Sequence, residues 1–222
     1  MKKIMFNDRY GLTEAVLSGC KTQTRRIITC PKTFKGEWVA GFHVYKRQSD
    51  GAILEQPCMY DADERDFDGG QILPKYKVGE IVAVAQCYAS IVDELEDPKN
   101  FVCMEHWESA SPKRAHYCSF LHHPGMTNKM FVSADEMPHQ VRITNVRVER
   151  LQDMSDEDCI KEGIYMDEDP MNPQAFIYTY PNAPQWFFTP REAIASLIDK
   201  VSGKGTWKSN PLVFVYEFKL VK

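Results

Sequence analysis

The segment PLVFVYEFKL, residues 211–220, decides the fold class. Leu212, Phe214, Tyr216, Phe218 and Leu220 fall on one side of a two-residue repeat, and Val213, Val215, Glu217 and Lys219 fall on the other. Side chains alternate in this way only along a strand. Further back, VRITNVRVERL, residues 141–151, alternates too, with a phase slip at Thr144-Asn145 that predicts a bulge. IVAVA, residues 81–85, is a strongly apolar strand entered through the turn KVGE. EWVAGFHVYK, an SDG turn and AILEQ predict a hairpin over 37–56, followed by an acidic, irregular stretch over 57–77.

Helices are few and carry their own start and stop signals. DRYGLTEAVLS, residues 8–18, has Leu12, Ala15 and Val16 as an apolar stripe, with Gly19 just past its end. Ser155 is the expected cap of DEDCIKE, whose acids sit in the first turn and which Gly163 terminates. Thr189, Pro190 and Glu192 form a capping box for a helix that buries Ala193, Ile194, Leu197, Ile198 and Val201. Several strands with few helices, out of strand–helix–strand order, predict an α+β fold with a curved or closed sheet.

The chain has 222 residues, of which 43% are hydrophobic, enough for one sizeable core. A single domain over 1–222 is expected, elaborated by insertions at about 31–75 and 92–128. The net charge of −4 excludes a generally basic nucleic-acid coat, so any basic surface is local. MKKIMFNDRYG has no apolar run behind its basic pair, and no stretch approaches the roughly 18 apolar residues of a membrane span. Seven cysteines without a secretion signal are expected to be reduced thiols in the cytoplasm.

The local basic surface is SGCKTQTRR, residues 18–26. A threonine hydroxyl is a poor nucleophile unless a base takes its proton, and a lysine serves as that base only when burial or neighbouring cations lower its pKa. Lys21 and Thr24 have such cations beside them in Arg25 and Arg26. A turn just after Gly19 is required to bring them together, since a regular strand points them to opposite faces. The same residues also read as a solvated basic loop or a phosphate-binding loop. Glu162 is a second oddity: it stands in the last turn of its helix, where the dipole disfavours a carboxylate. It is either an exposed terminal glutamate or a carboxylate answering to a lysine or ligand outside the helix.

GCKTQTRR resembles the G-x-K-T-x-T-x-R signature of the ASCH domain, whose barrel belongs to the PUA-like group of RNA-associated folds. YKVGEIVAV (76–84), VRVERLQDMSDEDCIKEGI (146–164) and GKGTWKSNPLVFVYEFKLV (203–221) are similar to later blocks of that family, in the same order. The last block looks like the closing segment of phage and gut-bacterial members. The resemblance implies a PUA-like β-barrel with flanking helices. It also implies a pocket for a nucleobase, nucleoside or RNA segment, no cofactor and no metal. Some small ASCH proteins hydrolyse acyl groups from the exocyclic nitrogen of cytidine. Carried over residue by residue, Thr24 is the nucleophile, Lys21 its base and Glu162 an orienter or acid; Thr22, Arg25, Arg26, Gln86 and Trp207 are the expected ligand contacts.

The chain departs from larger members where a Trp and an Arg-Glu pair stand in the strand after the glycine turn. Here those positions are Ala83, Ala85 and Gln86. Gln86 keeps the shape and hydrogen bonding of a glutamate without its charge. Trp207 is the aromatic kept as a ligand contact, whereas Trp186, Phe187 and Phe188 read as core or loop anchors. Cys103, His106, His116, Cys118, His122 and His123 fit no zinc-finger spacing and read as incidental to a polar insertion. DADERDFDGG, residues 61–70, lacks calcium-loop spacing and reads as a solvated acidic loop. Two rivals to the amidohydrolase remain open: a non-catalytic RNA-binding module, and a phage-derived accessory protein whose 92–128 insertion meets a protein partner.

Overall fold

The computed structural model describes residues 1–45, 56–94, 112, 116 and 119–221. The strands in chain order are β1 (Lys3–Ile4), β2 (Gln23–Ile27), β3 (Thr33–Phe34), β4 (Glu37–Trp38), β5 (Gly41–His43) and β6 (Cys58–Tyr60). There follow β7 (Asp66–Gln71), β8 (Ile81–Val84), β9 (Gln140–Arg150), β10 (Tyr165–Asp169), β11 (Asn172–Thr179) and β12 (Leu212–Leu220). The α-helices are α1 (Leu12–Leu17), α2 (Tyr88–Glu94), α3 (Asp156–Lys161), α4 (Pro190–Ser202) and α5 (Thr206–Ser209). The fold is α+β, with several sheets and few helices. Among the described residues, no helix is long and apolar enough to cross a membrane.

The main sheet has the order β1-β8-β9-β12-β2. β1 and β8 are parallel, and the other neighbours are antiparallel. β12 lies between β9 and the edge strand β2, and its alternation buries Phe214, Tyr216 and Phe218 with Ile4, Val82, Val84, Val141 and Ile143. Its other face sets Val213 and Val215 against Leu151, Ile198 and Trp207. The slip predicted in β9 is real: Glu217 faces Asn145 while Phe218 faces Ile143, leaving Thr144 as the extra residue. Among the described residues no ladder joins β1 to β2, so the sheet is open there. A side chain bridges the gap, since Arg26 Nη2 donates to the Met5 carbonyl.

The predicted caps hold. Ser155 Oγ accepts from Asp158 N at 3.1 Å, and Thr189 Oγ1 accepts from Glu192 N at 3.2 Å. Three expectations need correction. The first helix is broken into a 3-10 turn (Asp8–Tyr10) and α1 by Gly11, whose φ of +63° sets it against the Pro181 ring. The stretch over 57–77 is not irregular, because β6 and β7 pair within a three-stranded sheet with β5. The hairpin over 37–56 is divided: β4 pairs with β3, β5 pairs with β6, and the SDG turn with most of AILEQ lies outside the described residues. The hairpin β10–β11 had no sequence expectation at all.

Candidate functional site

The turn after Gly19 (φ +78°) is pinned at both ends. Lys21 N donates to the Ala15 carbonyl at 2.8 Å, and Thr22 N donates to the Lys161 carbonyl at 2.9 Å. The second bond lashes the signature to the C-terminal end of α3 and brings Lys21 to Glu162. Lys21 is 2% exposed and Glu162 7%. Lys21 Nζ lies 2.5 Å from Glu162 Oε2 and 2.6 Å from the Glu162 carbonyl. The carboxylate that the helix dipole disfavours is therefore held by an ammonium from outside the helix. It is also held by a guanidinium, since Arg25 Nη1 donates to Glu162 Oε1 at 3.1 Å.

Arg25 belongs to a larger network on one face of the sheet, where it lies beside Gln23, Arg147, Glu149 and Glu217. Its Nε donates to Glu149 Oε1 at 2.9 Å and its Nη2 to Asp158 Oδ2 at 2.9 Å. Arg147 meets Glu149 at 2.9 Å and Asp158 at 3.1 Å, and donates to Glu217 as well. Burial alone would lower the Arg25 guanidinium, but Glu162, Glu149 and Asp158 outweigh it and hold it above its ordinary value. Burial would likewise raise the Asp158 carboxyl, but Arg25, Gln23 and Arg147 hold it below its ordinary value. Lys21 goes the other way. Burial pushes its ammonium below the ordinary lysine value, with Arg26 and Arg25 adding to the effect and Glu162 opposing it.

Thr24 sits opposite Tyr216 in β2 and is 5% exposed. It lines a cavity of about 440 Å³ together with Lys21, Arg25, Arg26 and Glu162. Among the described residues the Thr24 hydroxyl has no hydrogen-bond partner. Most of the remaining wall is apolar, from Phe6, Leu12 and the Ile194, Leu197 and Ile198 face of α4, with Asn7, Ser202 and Thr206 as its other polar members. Val201, expected as core, is 40% exposed and forms part of the same wall. A polar end set in an apolar slot of this size suits a planar ligand with one polar edge.

The structure thus brings Lys21, Thr24 and Glu162 together, with Arg25 and Arg26 beside them. It sets the other candidates apart. Thr22 contributes its backbone, which accepts from Phe218 N at 2.9 Å, and does not line the cavity. Trp207 packs under β12, takes the Arg191 guanidinium at 5.3 Å from its ring centre, and donates its backbone N–H to Asp199 Oδ1 at 2.8 Å. It anchors α5 and is not part of the cavity wall. Gln86 lies in a different cleft, behind α1. Phe187 is buried and stacked on Tyr180, while Trp186 and Phe188 are exposed.

Of the Cys/His group, Cys103, His106 and Cys118 lie outside the described residues. Among the described residues no three His, Cys, Asp or Glu side chains are grouped to hold a metal. In the acidic stretch, Asp61 Oδ1 accepts from the backbone N–H of Asp63 and Arg65 and builds a turn. Sequence reasoning missed Phe6, Arg147, Glu149 and Asp158. The Arg147–Glu149 spacing, two apart in a strand and hence on one face, was the legible signal for this network.

Compared with known protein families, curated proteins and solved structures, the chain matches none.

Proposed function

We propose that the cavity at Lys21, Thr24 and Glu162 is the active site of an amidohydrolase that removes an acyl group from the exocyclic nitrogen of cytidine. The observation that carries this reading is a buried lysine bonded to a buried glutamate in the wall that also presents a free threonine hydroxyl. Passing the shared proton to Glu162 Oε2 leaves Lys21 a free amine, as its lowered pKa favours. Thr24 Oγ1 then attacks the acyl carbonyl carbon, and its proton moves to Lys21 Nζ. The carbon–nitrogen bond breaks, the departing nitrogen takes that proton, and cytidine leaves. Water, deprotonated in turn by Lys21, hydrolyses the acyl ester on Thr24 and regenerates the hydroxyl.

The ladder supplies a candidate for the oxyanion donor. Phe218 N bonds to the Thr22 carbonyl at 2.9 Å and Ile28 N to the Leu212 carbonyl at 3.0 Å. Antiparallel pairing alternates, so the N–H groups of Gln23, Arg25 and Ile27 turn to the free edge of β2. The Arg25 N–H, next to Thr24, is the donor this reading assigns to the developing oxyanion.

The open sheet is, on this reading, of the PUA-like kind, with Arg26 and Met5 linking its two edges. The chain works in the cytoplasm, in keeping with its cysteines. The substrate is a nucleoside or a nucleotide within RNA, because Arg26 is exposed beside the cavity and offers a phosphate contact. The phosphate-binding-loop alternative is disfavoured, because Arg25 is spent on three carboxylates. Incubation with N4-acetylcytidine is expected to release cytidine, and Lys21→Ala and Thr24→Ala are expected to abolish the release. No turnover by the wild type, or undiminished turnover by either variant, removes the enzyme reading.

A further inference from the structure

The cavity at Lys21 has a neighbour along the free edge of β2. This second cavity measures about 460 Å³ and shares Met5, Arg26 and Ile27 with the first. Ile28 and Phe214 give it an apolar floor. Its far wall is the chain just after β7, from Ile72 to Tyr76, most of which belongs to the insertion over about 31–75.

The two cavities differ in charge. In the first, Lys21 and Arg25 are matched by Glu162. In the second, the charged lining residues are Arg26 and Lys75, both exposed cations, and no carboxylate lines it. Neither cation has an ion pair with another described residue. Arg26 spends Nη2 on the Met5 carbonyl and keeps its other N–H groups. Lys75 Nζ stands 5.3 Å from the centre of the Tyr76 ring. The tyrosine hydroxyls are taken up by the backbone. Tyr76 donates to the Lys3 carbonyl at 2.9 Å, and Tyr216 accepts from Lys75 N at 2.9 Å, which ties the backbone bearing Lys75 to β12. The remaining donors are the Thr29 hydroxyl and the Ile27 N–H, which the ladder turns to the free edge of β2. Two unmatched cations and two neutral donors around one apolar floor suit an anion with several oxygens.

We propose that the second cavity holds a phosphate ester carried by the ligand of the first, so that a nucleotide is preferred over the free nucleoside. This rests on the reading of the first cavity as a nucleoside site. Arg26 belongs to both linings, so a ligand that spans the shared wall passes it and sets its phosphate between Arg26 and Lys75. The Arg26 fork takes one edge of the phosphate and the Lys75 ammonium another oxygen. The ester is either the terminal phosphate of a free nucleotide or the phosphodiester of a chain.

The test is titration calorimetry on the whole chain at low ionic strength, with cytidine, 5′-CMP, 3′-CMP, the trinucleotide ApCpA and pyrophosphate as separate probes. At least one phosphate-bearing cytidine compound is expected to bind about tenfold tighter than cytidine. Tightest binding by a monophosphate assigns a free nucleotide, and tightest binding by the trinucleotide assigns a chain. Lys75→Gln alters an exposed side chain and leaves the backbone bond to Tyr216 in place; it is expected to remove most of the gain while cytidine binds as before. Lys77→Gln removes the same charge two residues on, outside the lining, and is expected to keep the gain. Cytidine binding with no gain from phosphate overturns the inference and leaves the nucleoside reading standing. A gain that survives Lys75→Gln, or falls as far in Lys77→Gln, overturns it too. Pyrophosphate binding that depends on Lys75, with no binding of any cytidine compound, overturns the nucleoside reading and with it the nucleotide, and leaves an anion pocket. No binding by any probe overturns both.

Discussion

The two cavities on either side of α1 handle charge in opposite ways. Around Lys21, each buried ionic group is matched within the protein: Lys21 and Arg25 share Glu162, and Arg25 and Arg147 share Glu149 and Asp158. Around Gln86, carboxylates face the cleft and a buried acceptor has no partner among the described residues. A site whose charges are already paired has little to offer an ion, but it can pass a proton internally and admit a neutral, planar ligand. The same helix therefore borders a charge-paired cavity on one side and, on the other, a cleft where Glu14 and Asp93 have no ion pair with another described residue.

The difference is broken most severely at Arg25. Arg25→Ala takes one of two cationic partners from each of Glu149, Asp158 and Glu162, leaving them to Arg147 and Lys21, and it is expected to cost about 3 kcal/mol in urea unfolding. Glu14→Gln/Asp93→Asn, in the other cavity, is expected to stay within about 0.5 kcal/mol of the wild type. Comparable losses from both would mean that the two sites do not differ in charge pairing.

Acidification probes the same network. The folded-state pKa of Asp158 lies below its ordinary value, so its stabilising contribution is fully present above that value and is lost as pH falls through the folded one. The wild type is expected to resist acid to below about pH 4 with respect to this group. Arg25→Ala is expected to unfold at higher pH, followed by far-ultraviolet circular dichroism. An unchanged acid midpoint would deny Arg25 its role in depressing Asp158.

Glu162→Gln keeps the hydrogen-bonding shape but removes the partner that takes the Lys21 proton. Cytidine release is expected to fall roughly 10²–10³-fold, in the range for loss of a general acid–base group. Release by the wild type is also expected to climb with pH through a Lys21 midpoint below the ordinary 10.5, because the free amine is the working form. A pH-independent rate would contradict that.

Gly163 has φ +104°, and its missing side chain would face Lys21 Cδ at 3.5 Å. Gly163→Ala is expected to cost about 1–2 kcal/mol in thermal unfolding through backbone strain. The smallest effect belongs to Gln86→Leu. It removes an unpaired buried acceptor but also the amide donor to Glu94, so stability is expected to change by less than about 1 kcal/mol. A large destabilisation there would mark Gln86 as structural.

Much of the molecule was legible where one residue has one local job. The alternation of β12, the slip at Thr144, and the caps Ser155 and Thr189 are short-range consequences of chain geometry, and they are present as expected. Glu162 was legible as an anomaly because it opposes its own helix dipole. Its explanation was not, since Lys21 reaches it through a backbone bond from Thr22 to Lys161 across 139 residues of chain. β7 escaped notice because DFDGGQ has no apolar alternation. Trp207 and Gln86 were legible as notable residues but not as members of different neighbourhoods, which only the packing of α1 and α5 decides.

The central claim is that Lys21, Thr24 and Glu162 act as one unit, and its most direct test is a double-mutant cycle on cytidine release from N4-acetylcytidine. Thr24→Val, Lys21→Met and the combined variant are compared by kcat/KM, each checked for folding by circular dichroism. The account predicts that the combined variant is no worse than the poorer single one, because each change alone already dismantles the unit. Losses that multiply would show two independent contributions and contradict it.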